Sequence, residues 1–202
     1  VEALDHILKK HWNYDSFRPQ QLAVIESILA GKDTLALLPT GAGKSICFQV
    51  PTIYQRGICI VISPLIALMQ DQVKDLVSKN LKAVLLGSQL SAYEESIVFK
   101  EIEAKKYQFI YCSPEKLAQK HFQTLLSSLP IQLFAIDEAH CISQWGYDFR
   151  PSYRKLDFLK KTFPKIPILA MTASAIPLVQ KDMLKQLGVE DANLITDQFL
   201  RP

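Results

Sequence analysis

Nothing in the 202 residues approaches the ~18-residue apolar span that a membrane helix needs. The stretch Val1 to Lys10 mixes charges with apolar residues where a secretory signal would carry an apolar core. The expectation is a chain neither secreted nor inserted in a membrane. The four cysteines, Cys47, Cys59, Cys112 and Cys141, show no C-x-x-C spacing and fall inside or beside predicted elements. They read as small buried apolar side chains in a reducing compartment, in preference to disulfides or metal ligands. Strong charge is missing too: 23 basic against 20 acidic residues leave a net +3, which permits nucleic acid as a partner without arguing for it. No internal repeat, low-complexity tract or long linker interrupts the chain. With 49% hydrophobic and 21% charged residues, there is room for one sizeable domain over 1–202, built on one core.

Short apolar runs mark six strands: Thr34–Leu38, Ile58–Ile62, Ala83–Leu86, Phe109–Cys112, Leu133–Ile136 and Ile168–Met171. Most are rich in Ile, Val and Leu without polar alternation, the pattern of strands buried on both faces of a parallel sheet. Amphipathic stripes lie between them: Leu22, Ile25 and Leu29; Leu65, Met69, Val73 and Leu76; Val179, Met183 and Leu187. Ser63-Pro64 and Ser113-Pro114 each read as an N-cap followed by proline at the first helical position, and Ser91 with Glu94 as a capping box. Gly188 reads as a helix stop. Strand and helix alternate, so the fold class is α/β with a mostly parallel central sheet and helices on both faces. The tail from Thr196 closes no element and reads as cut.

The stretch from Leu35 through Pro39-Thr40-Gly41-Ala42-Gly43-Lys44-Ser45 is a buried strand, a glycine-bearing loop and the start of a helix. Glycines let backbone N–H groups close on phosphate oxygens, and the helix N-terminus adds partial positive charge. In such a loop Lys44 reaches the β- and γ-phosphates and Ser45 ligates Mg²⁺. Leu38 stands where the strict pattern has its first glycine, so only the looser form is met.

Asp137-Glu138-Ala139-His140 follows the strand at Leu133–Ile136 directly, at the edge where parallel sheets bind ligands. Two carboxylates there can divide the work of nucleotide hydrolysis. Asp137 would hold Mg²⁺, and Glu138 would orient and deprotonate the attacking water. His140 is placed by its neighbours. Upstream, Gln21 in Phe17-Arg18-Pro19-Gln20-Gln21 can pair with N6 and N7 of adenine, and Tyr14 can stack on the same ring. The blander alternative makes Phe17 core and the glutamines solvated.

The run from Cys141 to Pro151 sets Trp145, Tyr147, Phe149 and Arg150 in one loop just after the acidic pair. Aromatic faces with a cation make a stacking platform for single-stranded bases. The alternative is a small apolar cluster that pins the loop.

These elements, in this order, resemble the first motor domain of RecQ-family DNA helicases (superfamily 2), from about Asn13 to the C-terminus. The resemblance rests on residues 17–21, 39–45, Ser-Pro-Leu-Ile-Ala-Leu-Met-Gln-Asp-Gln-Val at 63–73 and Ser-Pro-Glu-Lys-Leu at 113–117. Residues 137–151 and Met-Thr-Ala-Ser-Ala at 171–175 complete it. It implies a RecA-like P-loop fold and an ATP- and Mg²⁺-dependent motor that tracks along single-stranded DNA and unwinds duplex, usually 3′ to 5′. By position, Tyr14, Arg18 and Gln21 resemble the adenine-reading motif. Thr40, Gly41, Ala42, Gly43, Lys44 and Ser45 resemble the phosphate loop, and Asp137, Glu138 and His140 the acidic motif. Trp145, Phe149 and Arg150 resemble the loop that senses single-stranded DNA. Ser63, Pro64 and Ser113 resemble segments that hold the DNA backbone, and Thr172 and Ser174 the motif coupling the two activities.

Three substitutions depart from the family's usual pattern: Ala42 for glycine, Tyr147 for histidine and Ser174 for threonine. The resemblance also implies a second RecA-like domain carrying an arginine finger, with zinc-binding and winged-helix regions beyond it. None of these lies within 1–202, so the expectation is one motor domain of a longer chain, weakly active by itself. Its partners would be single-stranded and duplex DNA and that second domain, in a bacterial nucleoid or a eukaryotic nucleus. A P-loop kinase or other ATPase without a nucleic-acid track, a non-hydrolysing binding module and an RNA helicase are the competing readings.

Overall fold

The computed structural model describes residues 3–39 and 43–196. Helices α1 (Leu4–Trp12) and α2 (Pro19–Leu29) lead into β1 (Thr34–Leu37). Then α3 (Ile46–Gln55), β2 (Ile58–Ile62), α4 (Ile66–Ser78), β3 (Ala83–Leu86), α5 (Ala92–Glu103) and β4 (Phe109–Cys112) follow. Two short helices, α6 (Pro114–Leu117) and α7 (Lys120–Leu126), precede β5 (Ile131–Ile136). Beyond it come 3₁₀ turns at Ala139–Ile142 and Pro151–Asp157, then α8 (Phe158–Thr162), β6 (Ile168–Thr172), α9 (Pro177–Leu187) and β7 (Asn193–Thr196).

The strands form a seven-stranded sheet in the order β3-β4-β2-β5-β6-β1-β7, every neighbouring pair parallel. Burial on both faces explains the unbroken apolar runs. One face packs Ile60, Ile62, Phe134 and Ile136 against Phe122, Leu126, Val179 and Met183. The other packs Cys59, Val61, Leu133 and Met171 against Val24, Ile28, Phe48, Met69 and Leu76. A smaller cluster, Ile7, Leu8, Ile25, Ile46 and Val50, fastens α1 to α2 and α3.

Capping chemistry decides several boundaries. Ser91 Oγ accepts from Glu94 N–H while the Glu94 carboxylate accepts from Ser91 N–H, so both orphan donors at the head of α5 are satisfied. Ser113 caps α6, with Pro114 at its first position. Gly188 ends α9 with φ of 70°, the left-handed geometry that glycine adopts without strain. Ser63-Pro64 behaves differently. The Ser63 hydroxyl accepts from Leu65 N–H in a local turn, and α4 starts only at Ile66.

Two further sequence expectations are corrected. The apolar face of α2 is Val24, Ile25 and Ile28, shifted so that Leu22 is exposed. The six expected strands omit a seventh, β7, which pairs with β1 from Asn193↔Thr34 to Thr196↔Leu37; of the tail from Thr196, residues 197–202 lie outside the described residues. As an edge strand β7 alternates half-buried and exposed residues, and so lacks the continuous apolar run of its neighbours.

Candidate nucleotide site and aromatic loop

The sheet order builds the site. With β5, β6 and β1 adjacent, the residues that follow them emerge side by side at the C-terminal edge, about 4.8 Å per strand apart. Asp137 leaves β5, Thr172 ends β6, and the loop after β1 delivers Lys44 and Ser45. Thr40, Gly41 and Ala42, expected to cradle phosphate, lie outside the described residues. Gly43, the last residue of the loop, has φ of 71°, and a Cβ there would collide with the Gln21 side-chain amide. Two separate demands therefore fall on one glycine.

Lys44 Nζ lies 3.5 Å from Asp137 Oδ1, and the same carboxylate oxygen accepts from Glu138 N–H at 2.9 Å. Asp137 is only 7% exposed. Its backbone is held as well: its N–H donates to Ile62 C=O at 2.8 Å, and its carbonyl accepts from the Tyr153 hydroxyl at 2.9 Å. Ser45, the N-cap of α3, makes no side-chain hydrogen bond to its own helix. A carboxylate and a hydroxyl beside a helix N-terminus form an all-oxygen donor set, which suits Mg²⁺ and not a thiophilic ion.

Glu138 sits in the left-handed region at φ 52° and ψ 41°. For a non-glycine residue this is strain of the kind found at functional sites. It turns the chain sharply off β5, and Ala139, His140, Cys141 and Ile142 are buried immediately after it.

His140 is the node of the site. Its Nδ1 lies 2.6 Å from the Thr172 hydroxyl, and its Nε2 lies 3.5 Å from Glu138 Oε2 and 3.7 Å from Cys141 Sγ. Burial pulls the imidazole below its ordinary pKa, with the Glu138 and Asp148 carboxylates opposing it. The Tyr147 ring stacks on the imidazole, centroids 4.5 Å apart and planes 17° from parallel. Ser174 takes no comparable place. Its side chain is exposed, and its backbone carbonyl lies 3.5 Å from the Thr172 hydroxyl.

Gln21 is 5% exposed and bonded to the protein: its amide oxygen accepts from Arg18 N–H at 2.9 Å, and its amide nitrogen donates to Gly43 C=O at 3.1 Å. It thus ties the head of α2 to the phosphate loop. Arg18 is the N-cap of α2, and Tyr14, just past the end of α1, is 56% exposed.

The aromatic loop does not form one platform. Trp145 projects outward, 64% exposed, and Tyr147, 74% exposed, turns its inner face to His140. Phe149 is covered on one side by the Arg154 guanidinium, 5.5 Å from the ring centre. Arg150 makes long contacts of 3.4 Å to Asp148 Oδ2. A groove of about 350 Å³ gathers Pro64, Ser113 and Arg150 beside Ser88 and Glu115, so these residues from separate segments share one surface. Ser63 is not among them. It is buried, its hydroxyl turned to Leu65 N–H.

Three contributors escaped sequence reasoning. Tyr153 steadies Asp137, and the Ser143 hydroxyl donates to Asp182 at 2.7 Å, pinning the aromatic loop to α9. The Gln49 amide donates to the Tyr111 hydroxyl, which donates to Gln72, joining α3, β4 and α4 through the interior. Each joins residues far apart in the chain with no local pattern. A buried tyrosine in need of a partner was the only available signal.

A sequence model of the DEAD/DEAH box helicase family matches residues 18–182. The chain is 44% identical, over its whole length, to the probable ATP-dependent DNA helicase RecS of Bacillus subtilis, and covers 40% of that protein. It is 42% identical over 99% of its length to the ATP-dependent DNA helicase RecQ of Pasteurella multocida, and covers 32% of it. The crystal structure of the DUF1998 helicase MrfA bound to DNA and AMPPNP superposes on 97% of this chain, and on 29% of that one, with a TM-score of 0.74. At 18% identity, that likeness speaks for the fold alone. The chain spans well under half the length of these relatives.

Proposed function

This chain belongs to the DEAD/DEAH box helicase family, and from that premise we propose that it is the ATP-binding half of a RecQ-type DNA motor. It couples Mg²⁺-dependent ATP hydrolysis to movement along single-stranded DNA, 3′ to 5′, and to duplex unwinding. A second RecA-like domain of the same parent protein completes the motor, wherever that protein meets chromosomal DNA. Among the described residues no helix is long and apolar enough to cross a membrane.

The observation that carries this reading is the unbroken line of contacts from Lys44 through Asp137, Glu138 and His140 to Tyr147 and Thr172. Phosphate chemistry and the aromatic loop are joined by one imidazole. Before nucleotide arrives, Lys44 neutralises the buried Asp137 carboxylate. With ATP bound, Lys44 would turn to the β- and γ-phosphates, and Ser45 and Asp137 would hold Mg²⁺, whose contribution there would be charge neutralisation on the phosphates. Glu138, on its strained turn, takes the proton of the attacking water. His140, fixed by Thr172, reports the state of Glu138 to Tyr147 and so to the loop. Tyr14 and Gln21 read adenine, with Arg18 in the same motif. Trp145, Phe149, Arg150, Pro64 and Ser113 contact the strand, whereas the buried Ser63 acts on it through its turn.

The test is steady-state ATPase of this chain and of a longer version extending into the following domain, with and without single-stranded DNA or RNA, and with Lys44→Ala as the blank. The expected result is a nearly silent short chain and a long one stimulated by DNA. An arginine finger from a second domain is worth about 10³–10⁵ in related phosphoryl transfer, which sets the gap between them. Brisk hydrolysis by the long version, indifferent to either nucleic acid, would overturn the motor reading.

A further inference from the structure

Cys141 lacks any local partner in the sequence, yet the fold surrounds it with ligating atoms. Its Sγ is 3.7 Å from His140 Nε2 and 3.9 Å from Asp148 Oδ2, and the three residues' donor atoms all lie within 4.8 Å of one another. We infer that His140, Cys141 and Asp148 form a binding site for a zinc-class divalent cation, distinct from the oxygen-lined position at Ser45 and Asp137.

The donor set is one nitrogen, one sulfur and one oxygen, a combination that suits tetrahedral Zn²⁺ and is foreign to Mg²⁺. Zinc bonds of about 2.0–2.3 Å place tetrahedral ligands roughly 3.3–3.6 Å apart. The observed separations therefore need to contract by only a few tenths of an ångström for two of the pairs. The imidazole is held by the bond between its Nδ1 and the Thr172 hydroxyl at 2.6 Å, the outer-sphere arrangement that presents the other ring nitrogen to a metal. Tyr147 stacks on the face of the ring, not on its edge where Nε2 lies. Glu138 Oε2, 3.5 Å from that nitrogen, adds negative charge beside the site.

Two hydrogen bonds, one of backbone and one of side chains, hold the segments that carry the cluster. Arg150 N–H donates to Cys141 C=O at 2.9 Å, which brings the returning loop alongside Cys141. Ser143 is fastened to Asp182, which holds the outgoing limb. Asp148 is exposed and its contacts to Arg150 are long, so its carboxylate can turn inward, and the ion enters from that side. On binding, the Cys141 thiol gives its proton to solvent and the cation sheds water for the three side chains. Burial holds that thiol protonated when no metal is present. The bound ion draws Asp148 from Arg150 and locks His140 to the loop, so it works as a brake between the acidic motif and the aromatic loop.

The test is titration of the chain with Co²⁺, a spectroscopic stand-in for Zn²⁺. One equivalent should produce the visible bands of tetrahedral cobalt together with a near-ultraviolet thiolate-to-cobalt band. An equimolar amount of Zn²⁺ should erase both, and a large excess of Mg²⁺ should leave them. Cys141→Ser should lose the thiolate band while Cys47→Ser keeps it. Asp148→Asn, at an exposed position that folding tolerates, should weaken binding about ten-fold or more. Absence of the bands, their survival in Cys141→Ser, or unchanged affinity in Asp148→Asn would each overturn the site.

Discussion

The pocket at the ends of β1, β5 and β6 and the loop from Cys141 to Pro151 meet at His140, yet they are built on opposite terms. In the pocket, Asp137, His140 and Thr172 are buried, and the side chain of each of these three has a partner within the protein. In the loop, Trp145 and Tyr147 face solvent and Arg150 is held only by long contacts. A buried polar network is expensive to break and so keeps one geometry. An exposed aromatic surface on a pinned backbone changes its contacts at little cost. The first suits a site that must position phosphate; the second suits a sensor that waits for a ligand.

The sharpest way to break that contrast is at Glu138. In a version extended into the second domain proposed above, Glu138→Gln is expected to lower kcat about 10²–10⁴-fold with nucleotide affinity kept, read by DNA-saturated ATPase. Activity within a few fold of the native chain would remove Glu138 as the proton acceptor. Next in size is Thr172→Val, which leaves the buried imidazole without its hydroxyl partner. Denaturant unfolding should show a loss of about 1–3 kcal/mol. Trp145→Ala should give the opposite signature: stability within about 0.5 kcal/mol of the native chain, but single-stranded DNA binding weaker by about 1–3 kcal/mol. Equal stability losses for Thr172→Val and Trp145→Ala would erase the distinction between network and sensor. The smallest effect belongs to Tyr147→Ala, which straddles the two regions. Removing the ring from His140 should cost about 0.5–1.5 kcal/mol in the same unfolding experiment.

The same contrast governs what the sequence could announce. The buried sheet was legible because β2, β3 and β4 are unbroken apolar runs, and their predicted limits coincide with the observed ones. Strand β7 was not, since its residues alternate half-buried and exposed and its two apolar side chains, Leu194 and Ile195, fall on opposite faces. Gly43-Lys44-Ser45 and Asp137-Glu138 stand as consecutive residues, so spacing alone singles them out as candidates, and the fold brings Lys44 to 3.5 Å from Asp137. The arrangement of the aromatics is a tertiary matter. No local pattern reveals that Tyr147 lies on His140, that Phe149 is covered by Arg154, or that Asp148 returns to Cys141. Ser63 misled for a related reason: a serine before proline caps a helix or makes a turn with equal local logic, and packing around Met69 and Leu76 chose the later start.

The left-handed backbone of Glu138 carries one consequence for laboratory evolution of this protein. Glycine would fit that φ of 52° without strain, so Glu138→Gly both relaxes the chain and deletes the carboxylate. Selection for heat resistance alone would reward that replacement and return a sturdier protein without the carboxylate proposed to take the water's proton. Any stabilisation campaign therefore needs a turnover screen running beside the melting curve.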